Sequence, residues 1–233
     1  MTSKTEYIKA KAVKDISKQI GPLSTLEEKM LEEHLALQKY KKNEIIYKDF
    51  DSPTHALYLI QGKVKVYKDG IGRNQILRVV KPYEFFGYRA FFAHEDYKTS
   101  AMALEPSVAA VFPIEILKKL LTENFSTCKF FLHKLSEELG ASDDRTVNLT
   151  QKHIRGRLAE ALLFLKDSYG VEEDGHTLSI YLSREDMANL SNMTTSNAIR
   201  TLSAFANEKL IAIDGKKIKI IEEEKLHKVS RMG

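Results

Sequence analysis

The sequence has almost no cysteine and no long hydrophobic run, and each shortage excludes a class of protein. Among 233 residues there is one cysteine, Cys128. A single cysteine excludes an internal disulfide and any zinc or iron–sulfur site built from several cysteines of one chain. The longest apolar runs, such as those at residues 45–47 and 109–112, are far too short to cross a bilayer. The first residues also lack the apolar core of a secretory signal. We therefore expect a cytoplasmic protein with no membrane partner.

No catalytic or metal-binding arrangement stands out. There is no evident pair of converging carboxylates, no cysteine–histidine couple, no metal-spaced cluster and no glycine-rich phosphate loop. Asp143 and Asp144 are adjacent, so on a helix their side chains would point about 100° apart. The net charge of +4 permits a polyanionic partner without demonstrating one. The sequence therefore predicts a protein that is not an enzyme and has no metal site.

The first two regions of the chain differ in hydrophobic period. In "PLSTLEEKMLEEHLAL", Ser24 and Glu27 form a capping-box pattern, and apolar residues follow at helical spacing as far as Leu35. This region is predicted to be helical to about Lys39. From about residue 40 to residue 112, short β-branched and aromatic runs such as "HALYLIQGKVKVYKDG" are cut by Gly, Pro and Asp. Many short strands at close spacing predict a small barrel or sandwich.

A long helical tract is predicted from about Ile114 to Gln151. Residues that step alternately by four and three positions form an a/d heptad seam, namely Cys128, Leu132, Leu135, Leu139, Ser142, Thr146 and Leu149. A helix that packs only on its own domain also needs an apolar stripe, and Phe130, Phe131 and Val147 lie off the seam and would supply it. Two apolar faces favour intramolecular packing together with a homodimer interface. The predicted interface residues are Leu132, Leu135, Leu139, Ser142, Thr146 and Leu149.

The stretch "LSREDMANLSNMTTSNAIRTLSAFANEKL", from residue 182, predicts two short helices around a polar turn. Ser183 caps the first helix with Asp186 three residues later, and Asn192 ends it because Asn tolerates the left-handed conformation. Thr194 or Thr195 caps the second helix. The residues predicted to face inward are Met187, Leu190, Ile199 and Leu202.

A helix and a hairpin are predicted on either side of these two helices. Before them, "HIRGRLAEALLFLKDSYG" is an amphipathic helix that ends at Gly170, a residue type suited to the position after a helix end. After them, "LIAIDGKKIKIIE" has two strand-like runs around Asp214 and Gly215, which is a hairpin signal. Helix, turn, helix and a basic hairpin form the winged helix-turn-helix pattern.

This pattern suits DNA recognition. In the motif the second helix enters the major groove, and its N-terminal residues meet the base edges. Short hydroxyl and amide side chains let the backbone approach phosphate, which a helix N-terminus attracts. Arg200, one turn further on, can reach guanine O6 and N7 bidentately. Lys216, Lys217 and Lys219 of the hairpin can meet phosphates. Ser and Thr are also ordinary caps, and helical hairpins also serve as packing units, so this geometry alone leaves both interpretations open.

The order of β-roll, long helix and winged helix resembles the Crp–Fnr family of bacterial transcription regulators over nearly the whole chain. "LYLIQGKVKVYKDG" is similar to the family's strand–glycine–strand signature, and "FFGYRAFFAHEDYKTSA" lies where the family has its phosphate-binding cassette. The resemblance implies an α+β fold in three parts. These are N-terminal helices with an antiparallel β-roll like the cyclic-nucleotide-binding jelly roll at residues 1–112, a long dimerisation helix and hinge at 113–151, and a winged helix-turn-helix domain at 152–233.

The same resemblance implies a homodimer that binds a pseudo-palindromic operator in double-stranded DNA and works with RNA polymerase. It puts Thr195, Ser196 and Arg200 at base-reading positions and Thr194 at a phosphate-contacting one. The predicted DNA-binding residues are Thr194, Thr195, Ser196, Asn197, Arg200, Lys216 and Lys217. The competing hypothesis is an effector-binding module that signals through protein contacts, without specific DNA binding.

The effector pocket departs from the family's cyclic-nucleotide binders, which carry Phe-Gly-Glu and Arg-Ser-Ala in the cassette. The resemblance gives the Glu to the ribose hydroxyl and the Arg to the cyclic phosphate, whereas this chain has Tyr88 and Thr99 at those positions. The pocket is predicted at Phe86, Gly87, Tyr88, Arg89, Thr99, Ser100, Ser142 and Asp143. The effector is therefore unknown, and cyclic AMP is not expected.

The resemblance raises two other cofactors of the family, an iron–sulfur cluster and haem. The oxygen-sensing iron–sulfur members need several N-terminal cysteines, which this chain lacks. Haem stays open because His94, His133 and His153 lie in the cassette loop and on or near the long helix. A lone surface histidine is more often just a polar residue than an axial ligand.

Overall fold

The computed structural model describes the backbone of residues 2–232 and the side chains of residues 5–232. Residues 1 and 233, the outer ends of the first and third predicted domains, lie outside the described residues. The chain forms two compact units. One comprises the residues up to Asp69 with Leu77–Gly140, and the other comprises Gly70–Ile76 with the residues from Ala141 onward. The predicted domain boundaries near residues 112 and 151 stay a prediction.

The first unit is built mainly from strands, with helices before and after them. Its strands are β1 (Ala36–Tyr40), β2 (Ile45–Tyr47), β3 (His55–Gln61), β4 (Val64–Asp69), β5 (Asn74–Val80), β6 (Phe85–Phe86), β7 (Ser100–Ala103) and β8 (Ser107–Pro113). Its helices are α1 (Thr2–Ile20), α2 (Thr25–His34), α3 (Tyr88–Phe92), α4 (Ile114–Glu123) and α5 (Phe125–Gln151). The first residues of β5 and the C-terminal part of α5 belong to the second unit.

The strands form two four-stranded sheets, in the orders β1-β8-β3-β6 and β2-β7-β4-β5. Pairing is antiparallel in both sheets, with Leu57 opposite Val111 in the first and Val66 opposite Ala101 in the second. One buried cluster takes side chains from both sheets, including Leu57, Val64, Ala101 and Val111. The inner faces of the two sheets therefore pack on one another. The predicted antiparallel β-roll, with a long helix and a C-terminal helix-turn-helix after it, is confirmed.

Strand β3 is buried on both faces, which explains its continuous apolar run. Leu57 and Leu59 enter the cluster between the sheets, whereas Tyr58 enters a second cluster formed with the helices. Alternate residues of a strand point to opposite faces, so a strand covered on both sides loses the usual polar alternation. The helices contribute to this second cluster with Ile16 of α1, Leu31 of α2, Leu117 of α4 and Phe131 of α5, among others.

The N-terminal region is helical over a shorter length than predicted. The capping box is confirmed, because Ser24 N–H donates to the Glu27 carboxylate at 2.6 Å and Glu27 N–H donates to Ser24 Oγ at 3.3 Å. The prediction of helix to about Lys39 is wrong, since α2 ends at His34 and β1 follows. Leu35 is extended and 2% exposed, and β1 pairs with β8. Strand pairing, which involves residues distant in sequence, therefore overrides the local helical spacing.

The predicted helical tract from Ile114 to Gln151 is divided into α4 and α5 at Asn124. The backbone of Asn124 is extended, with φ −127° and ψ 104°, and its side-chain oxygen accepts a hydrogen bond from Ser126 N–H at 3.0 Å. Asn side chains compete with the helix for backbone donors in this way. The residue therefore ends one helix and caps the next.

Besides these parts of β5 and α5, the described residues of the second unit, up to 232, form four helices and a hairpin. These elements are α6 (Ile154–Tyr169), α7 (Arg184–Leu190), α8 (Thr195–Asn207), β9 (Ile211–Asp214), β10 (Lys217–Ile220) and α9 (Glu223–Met232). Gly170 ends α6 with φ 72°, and Gly215 turns the hairpin with φ 55°, both as predicted. Within residues 2–232, no helix combines the length and apolar character needed to span a membrane.

Candidate nucleic-acid interface and effector region

The turn between α7 and α8 is defined by the side chains that the sequence singled out. Ser183 Oγ accepts a hydrogen bond from Asp186 N–H at 3.0 Å and caps α7. Asn192 has φ 51°, in the left-handed region, as predicted. Thr194 is the N-cap of α8, and its hydroxyl accepts from Asn197 N–H at 3.3 Å. These caps fix where the second helix begins and therefore which residues occupy its first turn.

One face of α8 is buried and the opposite face is exposed. Ala198, Leu202 and Phe205 are at most 1% exposed, and their spacing of four and three residues puts them on one side of the helix. Ile199 was predicted to face inward, but it is 47% exposed. It is displaced by about 100° from Ala198 around the helix axis, which takes it off the buried stripe. This part of the prediction is wrong.

The exposed side of α8 carries most of its predicted DNA-binding residues. Thr195, Ser196 and Arg200 are exposed, and Asn197 is half-buried. The Arg200 guanidinium donates a hydrogen bond to Asn197 Oδ1 at 2.8 Å. This contact restricts the long arginine side chain to the outer face of the first helical turn. Hydroxyl groups, an amide and a guanidinium are therefore presented together beside the N-terminus of the helix.

The positive charge of the hairpin is partly neutralised by acidic residues of the loop between α6 and α7. Lys216, Lys217 and Lys219 are exposed. Lys217 lies 3.4 Å from the Glu172 carboxylate, and Lys219 lies 2.8 Å from that of Asp174. The Lys219 ammonium, with hydrogen bonds from Thr177, holds the pKa of Asp174 well below its usual range.

Sequence reasoning missed Arg184 and Tyr181, which support the hairpin. The Arg184 guanidinium donates to the Gly215 carbonyl at 2.7 Å and so joins the first turn of α7 to the hairpin turn. The Lys217 ammonium lies 5.4 Å from the centre of the Tyr181 ring. A basic residue directly after the Ser183 cap was the available signal, but its partner is a backbone carbonyl, which no side-chain pattern identifies.

The predicted effector residues are divided between the two buried clusters of the first unit. Phe86 belongs to the cluster between the sheets, whereas Tyr88 packs with the helices. The Tyr88 hydroxyl donates to Glu138 Oε1 at 2.7 Å, and burial raises the pKa of Tyr88. Gly87 has φ 76°, and a Cβ there would lie 3.2 Å from the Tyr47 ring, so the backbone at this position requires glycine.

Arg89, the candidate replacement for the missing phosphate ligand, is exposed and already paired. Its guanidinium donates to Glu95 Oε1 at 2.8 Å, and Lys98 lies on the other oxygen of the same carboxylate at 2.5 Å. The structure therefore places Arg89 in a surface ion-pair group with Glu95 and Lys98.

Thr99 and Ser100 lie beside residues that sequence reasoning missed. The Thr99 side chain hydrogen-bonds the phenol of Tyr47, whose pKa is raised to about 12 by burial. Ser100 is buried, and its hydroxyl accepts from Asp49 N–H at 3.0 Å. The Asp49 carboxylate pairs with Lys68 at 2.6 Å. This part of the predicted pocket therefore lies beside the Tyr47 phenol and the Asp49–Lys68 ion pair.

The heptad seam on α5 is largely exposed in the single chain. Leu132 is 59% exposed and Leu139 is 64% exposed. Ser142 and Thr146 are also exposed, as is Asp143, while Leu135 and Leu149 are half-buried. Leu135 packs against the cluster formed with the helices.

The second apolar face of α5 is present only in its N-terminal half. Phe131 is 1% exposed and Phe130 packs beside it in the same cluster. Val147 is 49% exposed and so does not supply the intramolecular face that was predicted for it. The reason is that the apolar residues that bury Phe131 belong to the strands and helices around the N-terminal half of α5.

The three candidate haem ligands occupy different kinds of position in the structure. His94 has φ 53° and is exposed in the cassette loop, His133 pairs with Glu137 on α5 at 3.1 Å, and His153 is the N-cap residue of α6. Among the side chains of residues 5–232, no group of three or more His, Cys, Asp or Glu residues is placed to hold a metal ion.

Comparison with known proteins assigns both halves of the chain. A model of the cyclic nucleotide-binding domain matches residues 37–124, and a model of the Crp-like helix-turn-helix domain matches residues 156–229. The CRP-like cAMP-activated global transcriptional regulator of Mycobacterium tuberculosis is 25% identical over 182 residues, which cover 77% of this chain and 81% of that protein. The anaerobic regulatory protein of Bacillus subtilis is 27% identical over 189 residues, which cover 79% of each.

Solved structures show the same fold at lower identity. FixK2 from Bradyrhizobium japonicum superposes with a TM-score of 0.76 at 20% identity, covering 84% of this chain and 96% of that one. A Crp/Fnr-family regulator from Eubacterium rectale gives a TM-score of 0.72 at 19% identity, covering 90% and 95%. The two matching domains, their order and the similar folds together lead to one conclusion. This chain belongs to the Crp–Fnr family of DNA-binding transcription regulators.

Proposed function

We propose that the protein is a homodimeric, sequence-specific regulator that reads an operator with α8 and is not controlled by cyclic AMP. The observation that carries this proposal is the exposed start of α8, where Ser196 and, one turn further on, Arg200 lie opposite the buried stripe and Thr195 is exposed at the first helical position. It acts in the bacterial cytoplasm, has RNA polymerase as a partner and has no catalytic role. The bacterial relatives, one named a global transcriptional regulator and the other a regulatory protein, support this part of the proposal.

Arg200 has the role of base reader. A guanidinium matches the O6 and N7 acceptors of guanine bidentately, and the 2.8 Å bond to Asn197 holds it in place before DNA arrives. The hydroxyls of Thr194, Thr195 and Ser196 surround the N-terminus of α8, where backbone N–H groups and the helix dipole favour a phosphate. Arg200 therefore supplies the preference for a base, and the phosphate contacts at the start of α8 fix the position of the helix on the DNA.

Lys216 and Lys217 have the role of phosphate contacts, and we predict that they contribute unequally to the salt dependence of DNA binding. Lys217 already has the Glu172 carboxylate at 3.4 Å as a counterion, whereas no ion pair of Lys216 is found among the side chains of residues 5–232. Replacing Lys216 with alanine should lower the slope of log affinity against log salt by roughly 1. Lys217→Ala should lower it by less. Anisotropy titrations of both variants at several salt concentrations measure the slopes, and equal losses would contradict the assigned pairing.

The exposed Leu132 and Leu139 support the homodimer, because side chains of this size on a helix seam are typically covered by a partner. A twofold dimer presents two copies of α8. The operator should therefore be a pseudo-palindrome with half-sites about 34 Å apart, one turn of DNA.

Cyclic AMP should not bind at micromolar concentrations. The Arg89 guanidinium is engaged by Glu95 at 2.8 Å, and Thr99 stands where the family's cyclic-nucleotide binders carry the arginine that pairs with the phosphate. An incoming cyclic phosphate would therefore find no arginine at position 99 with which to form a charge-assisted pair. Isothermal titration of the full chain with cyclic AMP is expected to give no heat of binding. A clear micromolar isotherm would contradict this account of the cassette.

Binding of duplex DNA across a salt series tests the proposed function. We expect affinity to fall steeply with salt, because phosphate contacts release counterions, and an unlabelled specific site to compete better than random duplex. A module that signals only through protein contacts would show no retarded band and no salt-dependent anisotropy.

A further inference from the structure

The first unit contains a polar cluster that joins three elements and that the DNA-binding role leaves unexplained. Arg78 of β5 contacts the Glu138 carboxylate of α5, and the Tyr88 hydroxyl of α3 donates to the same carboxylate at 2.7 Å. Arg78 also donates to the Phe85 carbonyl at 2.7 Å and lies 3.8 Å from Glu84. One guanidinium is therefore shared between the start of β6 and the long helix.

The cluster is shielded enough for its contacts to be strong. The Arg78 and Glu138 side chains are 27% and 33% exposed, and Tyr88 is 4% exposed. Hydrogen bonds in which a partner is ionised are roughly twice as strong as neutral ones. Breaking one of them here leaves a charged group partly buried without its partner, which costs more than losing a surface pair.

Glu138 continues the face of α5 that packs on the strands. Phe131 and Leu135 lie seven and three residues before it, on the same side of the helix, and both belong to the cluster formed with the helices. The Phe131 ring packs against that of Tyr88 at 5.2 Å between centroids. The packed face therefore starts with apolar contacts and ends with Glu138, shortly before the first unit ends at Gly140.

We propose that Arg78, Tyr88 and Glu138 form a latch that holds α5 against β5 and α3 without a ligand, so that the protein binds operator DNA with no small effector added. The proposal rests on the proposed DNA-binding function. Its physical basis is that both terminal nitrogens of Arg78 and the hydroxyl of Tyr88 already have partners within the chain itself. The contact between cassette and long helix, which a bound effector would otherwise have to make, is therefore built from side chains.

The proposal predicts a specific pattern among variants of the full chain. Glu138→Gln removes the charge that Arg78 binds, and Tyr88→Phe removes one hydrogen bond while keeping the ring. Glu137→Gln is the matched control, because Glu137 is the neighbouring carboxylate and pairs with His133 and Lys134 on α5 itself. All three are conservative in volume, and circular dichroism melting verifies that each variant is folded.

The experiment uses protein unfolded and refolded in the absence of small molecules, so that no ligand is carried over. Affinity for a selected operator is measured by anisotropy. Wild type is expected to bind with no addition, and Glu138→Gln to weaken binding by about 5-fold to 150-fold, the usual range of coupling between sites. Tyr88→Phe should weaken binding by roughly 3-fold to 10-fold, and Glu137→Gln should match wild type. Equal affinity for the two glutamine variants overturns the latch, as does a refolded wild type that binds only after cell extract is added.

Hydrogen exchange tests the latch independently of whether the proposed DNA-binding function is correct. Amides in residues 132–140 should exchange faster in Glu138→Gln than in Glu137→Gln, because local opening follows the loss of tertiary contacts. If wild type selects no DNA at all, the proposed function fails and the exchange data alone decide the latch. Identical exchange in the two variants overturns it.

Discussion

Replacing Leu139 with glutamate is expected to convert the dimer into a monomer and to weaken operator binding by about 100-fold to 10,000-fold. Leu139 is 64% exposed in the single chain and lies at the centre of the seam between Leu132 and Ser142. In a twofold dimer two such carboxylates would meet in an apolar seam, and burying unpaired charge costs several kcal/mol per ion. The fall in affinity is the avidity lost when one half-site binds without the other.

Light scattering and anisotropy measure the two parts of this prediction. Leu139 is a better site for the test than Leu135, because Leu135 also packs inside its own unit. Val147→Glu is the control, since Val147 is an exposed apolar residue of α5 that lies off the seam. It should leave both mass and affinity unchanged. A Leu139→Glu variant that remains dimeric would show that the seam is not the interface.

Replacing Arg200 with alanine is expected to remove the preference for one base pair in each half-site. The loss of one bidentate contact to guanine should cost about 1–3 kcal/mol on the cognate site. Affinity for operators already altered at that base pair should change little, because the contact is absent from them. Anisotropy on a panel of single-base operators measures both quantities.

The control for Arg200 is Lys228→Ala, which removes one positive charge from an exposed position on α9. It should weaken binding to all operators slightly and equally. An Arg200→Ala variant that loses affinity equally on every operator would make Arg200 a backbone contact.

Features set by neighbouring residues could be predicted from the sequence. The caps at Ser24, Ser183 and Thr194, the left-handed Asn192 and the turn at Gly215 all form as expected. Each depends on side chains that hydrogen-bond within three residues or on a backbone conformation that few residue types tolerate. This is why the caps and turns of the helix-turn-helix and its hairpin were predictable, although α7 ends at Leu190 rather than at Asn192 and α8 continues to Asn207 rather than ending at Phe205.

Features set by distant residues could not be predicted in this way. Residues 36–39 were predicted to continue the helix, but they lie in strand β1, whose hydrogen-bonding partner is the distant strand β8. Ile199 fits an inward pattern on spacing, but the buried stripe of α8 passes through Ala198 instead.

The effector region shows the same limit. Glu138 pairs with Tyr88, fifty residues earlier, and Asp49 with Ser100, fifty-one residues later. Neither spacing corresponds to a local motif, so the sequence identified Tyr88 and Ser100 but not their partners. The sequence itself shows that Tyr88 and Thr99 replace the Glu and Arg that the family's cyclic-nucleotide binders carry. This replacement is the reason that cyclic AMP is not expected to bind.

Selection of binding sites from random duplex DNA by the wild-type protein tests the central claim most directly. The exposed first turn of α8 and the twofold seam predict that the enriched sequences share a pseudo-palindrome, with half-sites about one helical turn apart and a guanine within each half. Enrichment should occur without any added nucleotide. A pool that remains random after repeated rounds, while the protein is folded and dimeric, would contradict the claim that this chain reads DNA sequence through α8.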